Sequence, residues 1–160
     1  MKKNLFLISA ILFLLSYSCQ EKIDVEKEKA AIIEVLNAEG SCFAANDLEC
    51  ILALHVQDEL STRMQGATIF KGWGEIKSLY ESYIEQNSQD TTWSNPRNIK
   101  ENIILKVTGN TAWLTCDNIW KYEVNNEPQE WTNIQIAFFE KIDGEWKISF
   151  DAFMPKSPLE

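Results

Sequence analysis

The run Ile103-Ile104-Leu105-Lys106-Val107-Thr108-Gly109-Asn110-Thr111-Ala112-Trp113-Leu114-Thr115-Cys116 decides the fold class. Two β-rich segments flank a Gly-Asn pair, the mark of a two-residue hairpin loop with left-handed backbone. With that loop Val107 faces Ala112, Leu105 faces Leu114 and Ile103 faces Cys116, giving one apolar face that continues to Asn118 and Trp120. Asp117 then falls on the opposite face, whereas a three-residue loop would put it on this one. Working outward, runs near 99–108, 111–124, 130–142 and 145–154 read as a four-strand antiparallel meander. Pro96, Pro128, Pro155 and Pro158 lie outside these runs, as a ladder of backbone donors requires. At the second tight turn a three-residue loop, Ile142-Asp143-Gly144, is expected, because it pairs Phe138 with Ile148 and Ile136 with Phe150. A two-residue loop would pair Phe138 with Ser149 and Ile136 with Asp151, mixing core and surface. The preferred register leaves Trp113, Ile119, Trp131, Ala137, Phe139 and Phe153 on the outer face. So apolar a surface predicts a homodimer through that face.

Upstream of the meander the hydrophobic period changes. Val25, Ile32, Leu36 and Phe43 fall near helical spacing and predict a first helix over Val25 to Ala45. Asn46 and Glu49 have capping-box spacing and open a short second helix that ends near His55. A loop or short strand covers Leu60 to Phe70. The stripe Ile76, Leu79, Tyr80, Tyr83 and Ile84 then predicts a third helix with both tyrosines on its buried side, ended by the polar stretch from Gln86 to Asn98. Three helices ahead of an antiparallel sheet make an α+β order. Strands of about 12 residues reach roughly 40 Å, and so long a sheet curls, here around the helices, leaving a tapering cavity.

The 160 residues carry 15 Lys and Arg against 24 Asp and Glu, a net charge of -9, which excludes nucleic acid as an expected partner. Lys2 and Lys3, the apolar run Leu5 to Leu15 and the small segment before Cys19 form a signal-peptide pattern over residues 1–18. The apolar run is too short to span a membrane. Its removal deepens the negative charge by two. Cys42, Cys50 and Cys116 remain beyond Cys19; Cys42 and Cys50 flank a turn where a bridge is one reading, and three buried thiols are the preferred one. With a single histidine and no CxxC pair, no metal site is expected.

Leu15-Ser16-Tyr17-Ser18-Cys19 resembles the lipobox of bacterial lipoproteins. The resemblance implies acylation at Cys19, a tether over residues 19–27 and a membrane-anchored place in the cell envelope. The order of elements, with Gly109-Asn110-Thr111-Ala112-Trp113, Glu140-Lys141-Ile142-Asp143-Gly144-Glu145-Trp146-Lys147-Ile148, Gln57-Asp58-Glu59 and Phe70-Lys71-Gly72-Trp73, resembles the NTF2-like superfamily in its SnoaL-like branch. That likeness covers residues 28–154, before a tail at 155–160. It implies three N-terminal helices packed on a strongly curved sheet, a cone with an internal pocket, and commonly a dimer. Members include isomerases, dehydratases, polyketide cyclases and non-catalytic binding domains. The export pattern excludes the nuclear-transport role. The steroid-isomerase branch is disfavoured, because Arg63 stands where its first catalytic aspartate is expected and Ile136, Phe138 and Phe139 where its second is.

His55 is the natural general base, with Asp58 three residues on to orient it. Arg63 is placed to clamp an anionic group on a ligand. Tyr80, Tyr83 and Trp120 are candidate aromatic walls, and Asn118 is the polar exception on an apolar face, in need of a partner. The expected function is an envelope lipoprotein whose domain binds a small, largely apolar ligand, or serves as an accessory module, without a cofactor. The alternative is an acid–base enzyme of isomerase, dehydratase or cyclase type using His55 with Asp58 or Asn118. A third reading is a structural dimer whose sheet face binds another envelope protein.

Overall fold

The computed structural model describes residues 24–156. The export segment, Cys19 and most of the tail lie outside the described residues. Helix α1 spans Val25–Ala44, and Asp24 caps it by accepting from the Lys27 amide at 3.2 Å. Ile32, Leu36, Glu39 and Gly40 form its buried stripe. Helix α2 is Leu48–Ala53. Its cap is Asp47, accepting from the Cys50 amide at 3.0 Å, and not Asn46, which adopts a left-handed φ of 55° in the turn. Cys42 and Cys50 are joined by a disulfide across that turn, with Cα atoms 5.7 Å apart, so the expectation of three thiols is corrected. Only Cys116 is free among the described residues, and it is buried.

The stretch after α2 forms two short strands, β1 (Thr62–Gln65) and β2 (Thr68–Lys71), before helix α3 (Gly72–Gln89). The meander follows as β3 (Trp93–Thr108), β4 (Thr111–Val124), β5 (Glu127–Ile142) and β6 (Glu145–Pro155). The sheet has six strands in the order β2-β1-β6-β5-β4-β3. It is mixed rather than wholly antiparallel, because β1 runs parallel to β6. Three of the prolines lie within strands: Pro96 follows Asn95, at φ 52°, where the β3–β4 ladder shifts, and Pro128 and Pro155 sit near strand ends.

The first hairpin has the expected register, with Val107 opposite Ala112 and Leu105 opposite Leu114. The last does not. Asp143 and Gly144 both take positive φ in a two-residue loop, which pairs Ile142 with Glu145 and Phe139 with Ile148. A bulge then skips Ser149, so Phe138 faces Phe150 and Ile136 faces Ala152. Neither regular register anticipated this, since each assumed an unbroken ladder. The consequence is an exchange of faces. Ala137 and Phe139 are fully buried in the core with Ile32, Leu36, Leu114 and Ile148. Phe153 and Trp131 also face inward, onto the cavity, whereas Phe138 lies 48% exposed beside Trp113 on the outer face.

Gly40 fixes how closely α1 meets β3. A Cβ there would lie 2.2 Å from Asn98 Oδ1 and 2.7 Å from Asn98 Cβ, so no rotamer of Asn98 relieves the clash. Gly40→Ala is expected to lower stability by about 1–3 kcal/mol, the usual range for overpacking; an unchanged urea midpoint would refute this.

Candidate functional site

Past the apolar core the inner face of the sheet turns polar. The β1–β6 pairing sets Arg63 directly beside Asp151, and the two side chains meet through Arg63 Nη1 and Asp151 Oδ2. From the helices, Glu39 Oε1 approaches Arg63 Nη1 at 3.4 Å, and the Tyr80 hydroxyl is bonded to both Arg63 and Glu39, at 3.0 Å from the latter. Arg63 is 6% exposed, and its guanidinium stacks 4.6 Å from the rings of Tyr80 and Phe153. It is therefore a buried hub on β1, already engaged with groups of the protein itself.

His55 Nε2 lies 3.0 Å from the Tyr80 hydroxyl and 3.9 Å from Glu39 Oε1. The phenol has one hydrogen. If it goes to Glu39, His55 donates from Nε2 to the phenol oxygen, and all three groups are satisfied. Burial drives the His55 pKa down to about 4, against the pull of Glu39 and helped by Arg63, so the ring is neutral at pH 7. Burial alone would raise Glu39, but Lys100, Arg63 and His55 outweigh it and hold the carboxyl at about 2. Asp151 goes the other way: burial, with Glu39 nearby, lifts it to about 8 despite Arg63. The Tyr80 phenol is pushed well above its usual range by burial. Asp58 is not brought to His55. Its Oδ1 instead accepts from the Leu60 and Ser61 amides at 2.9 and 2.8 Å, tying the loop into β1.

A second polar row crosses the sheet. Lys100, Asn118 and Asn133 are successive cross-strand partners on β3, β4 and β5. Lys100 Nζ donates to Asn118 Oδ1 at 2.7 Å and to Gln135 Oε1 at 2.6 Å. Asn118 Nδ2 donates to Asn133 Oδ1 at 2.8 Å, and Gln135 Nε2 to Glu39 Oε2 at 3.1 Å, which connects the row to the Arg63 cluster. Asn118 thus finds its partners within the protein. Burial lowers the Lys100 pKa, with Glu39 opposing.

Above both groups opens a cavity of about 370 Å³. Phe43, Tyr83, Trp93, Trp120, Tyr122 and Trp131 line it, and Glu39, Arg63, Tyr80, Lys100 and Asn118 also contribute to its wall. Phe43 packs edge-on against Trp120 at 5.5 Å and Tyr83 at 6.1 Å. Of the residues singled out in the sequence, Arg63, Tyr80, Tyr83, Asn118 and Trp120 converge on this one space, while His55 sits behind Tyr80 and does not line it. Glu39, Lys100, Gln135 and Asp151 were missed. Glu39 was legible in principle, as a carboxylate on the Ile32-Leu36-Glu39 stripe of a buried helix face. Among the described residues no cluster of side chains is suited to a metal ion.

No family model matches this sequence, and no curated protein matches it. Solved structures do resemble it. A candidate dehydratase of the NTF2-like family from Streptomyces avermitilis superposes with a TM-score of 0.70 at 14% identity, over 83% of this chain and 99% of the other. An NTF2-like protein of Salmonella enterica gives 0.69 at 17% identity, over 84% and 95%. An NTF2-like protein with a cystatin-like fold from Novosphingobium aromaticivorans gives 0.68 at 16% identity, over 95% and 90%. The chain therefore has the NTF2-like α+β fold, and the expectation from the sequence motifs holds at that level.

Proposed function

We propose that this is an exported, lipid-tethered binding protein whose cavity holds a small, largely apolar ligand without turning it over. The observation that carries this reading is the division of labour at the site. Aromatic rings form much of the wall, whereas the titratable groups that reach it are engaged with one another, and His55 is off the wall. Such a chamber binds through ring contact and a few polar fixtures. The Cys42–Cys50 disulfide supports export, since such bonds persist in oxidising compartments. Exposed Ile104, Trp113 and Phe138 support a homodimer through the outer face of the sheet. The second reading, an acid–base enzyme, draws support from the placing of Tyr80 and Glu39 on the cavity wall with His55 behind the phenol.

Titration with the neutral fluorophore N-phenyl-1-naphthylamine tests the leading reading. Saturable binding is expected, weakened about tenfold in Trp120→Ala by loss of one aromatic wall. Absence of binding, or binding indifferent to both Trp120→Ala and Phe43→Ala, would refute it. A Cys19→Ser variant is expected to leave the membrane fraction, as a chain without its acyl anchor should.

A further inference from the structure

The polar side of the cavity is unbalanced in a way that specifies the ligand. Among the described residues two cations, Lys100 and Arg63, contribute to the wall, with Glu39 as the only carboxylate there. Both oxygens of Glu39 are already occupied, Oε1 by Tyr80 and Arg63 and Oε2 by Gln135. Asp151 does not reach the wall, and burial favours its neutral form at pH 7. The hydrogen-bonding capacity left over is also one-sided. An ammonium has three donors. Lys100 spends two of them, on Asn118 and Gln135, and the amide groups of both are held in that orientation by Asn133 and Glu39. Arg63 Nε and Asn87 Nδ2, on two other wall residues, have no partner, against a single unpartnered acceptor on the wall, Gln65 Oε1. Surplus donors and surplus positive charge among aromatic rings, in a chain whose net charge is -9, are matched by a ligand that brings acceptors and a negative charge.

We propose that the cavity takes an aryl carboxylate, with a planar one- or two-ring body among Phe43, Tyr83 and Trp120 and a carboxylate that accepts from the remaining N–H of Lys100 and is supported by the charge of Arg63. This rests on the reading of the cavity as a binding site and adds the charge and shape of what it binds. Lys100 is the anchoring residue, because its ammonium combines a place on the wall, a position fixed by Asn118 and Gln135, and an unspent donor.

Calorimetry on the purified protein with 2-naphthoate and its neutral isostere 2-naphthamide separates the two levels of the proposal. The carboxylate is expected to bind at least tenfold more tightly than the amide. In Lys100→Met that preference should fall below about threefold, with the affinity for the amide little changed; Lys100→Arg, which keeps the charge, should retain most of it. Equal affinity for the two probes, or a preference that survives Lys100→Met, overturns the inference and leaves the binding cavity standing. Binding of neither probe, together with no binding of N-phenyl-1-naphthylamine, overturns both. Decanoate, with the same head on a flexible chain, is expected to bind at least fivefold more weakly than 2-naphthoate, and tighter binding of decanoate would overturn the assignment of a ring body.

Discussion

Replacing Arg63 by methionine is expected to destabilise the domain by about 3–5 kcal/mol, the usual loss when one partner of a buried charge group is removed. Among the described residues its guanidinium is the only cation in contact with both Glu39 and Asp151, and it also bonds the Tyr80 hydroxyl. Methionine fills much of the same space between the Tyr80 and Phe153 rings, so packing is largely kept while the charge is lost. Glu39 then remains ionised in a buried place, supported only by Lys100 and its hydrogen bonds. Asp151, which burial already favours in its neutral form at pH 7, stays neutral, which keeps the loss toward the lower end of that range. Urea denaturation at pH 7 measures the effect. The double variant Arg63→Met with Asp151→Leu should recover part of it, since apolar replacement of a buried pair is often close to neutral. A loss below about 1 kcal/mol would mean that Arg63 is not the hub described here.

The second large effect concerns pH and runs through His55. In the unfolded chain this ring takes up a proton near pH 6.5, whereas in the folded protein burial delays uptake until about 4. Between those values the unfolded state binds more protons, so stability is lost as the pH falls. The loss from this one group approaches 3 kcal/mol, at about 1.4 kcal/mol per pH unit. His55→Gln keeps a donor within reach of Tyr80 but cannot titrate. The stability of the natural protein relative to His55→Gln should therefore drop by about 3 kcal/mol from pH 7 to pH 4. Glu39 titrates lower, and Asp151 works in the opposite direction; both are present in the two proteins and largely cancel in the difference. A difference that stays constant within about 0.5 kcal/mol would show that the folded ring protonates as readily as the unfolded one.

How far the sequence could be read follows from what kind of information each feature carries. The first hairpin was legible because Gly109-Asn110 and the alternation around it agree, and helix α3 because its stripe is long. The register of β5 against β6 was not, because a bulge at Ser149 is a local geometric choice that alternation alone does not encode. The two-residue loop sets Phe139 and Ala137 on the inner face, and the bulge brings Asp151 to that face, where an unbroken ladder made it look like a surface carboxylate. The strands β1 and β2 were hard to read for another reason. They are four residues each, and β1 is placed by parallel pairing with a strand some 88 positions away, a partnership that no local pattern reports. Tyr80, Tyr83, Asn118 and Trp120, which line the cavity, stood out as polar or aromatic residues on apolar faces, and Arg63 as a cation suited to an anionic group. Glu39 and Lys100 were passed over as ordinary solvated charges, the usual fate of such residues.

The parallel alignment of β1 with β6 also has a temporal side. Glu39, Arg63 and Tyr80 all belong to the earlier part of the chain, but the neighbour that seats Arg63 arrives only with the final strand. Until then the helices can form and the cysteines can pair, while the cation and its carboxylates stay hydrated and apart. Contacts so distant in sequence form slowly and leave sheet edges uncovered for longer. A polypeptide that emerges gradually thus completes the buried charge cluster around Arg63 late in folding, and chains cut short before β6 would lack the Asp151 side of that cluster.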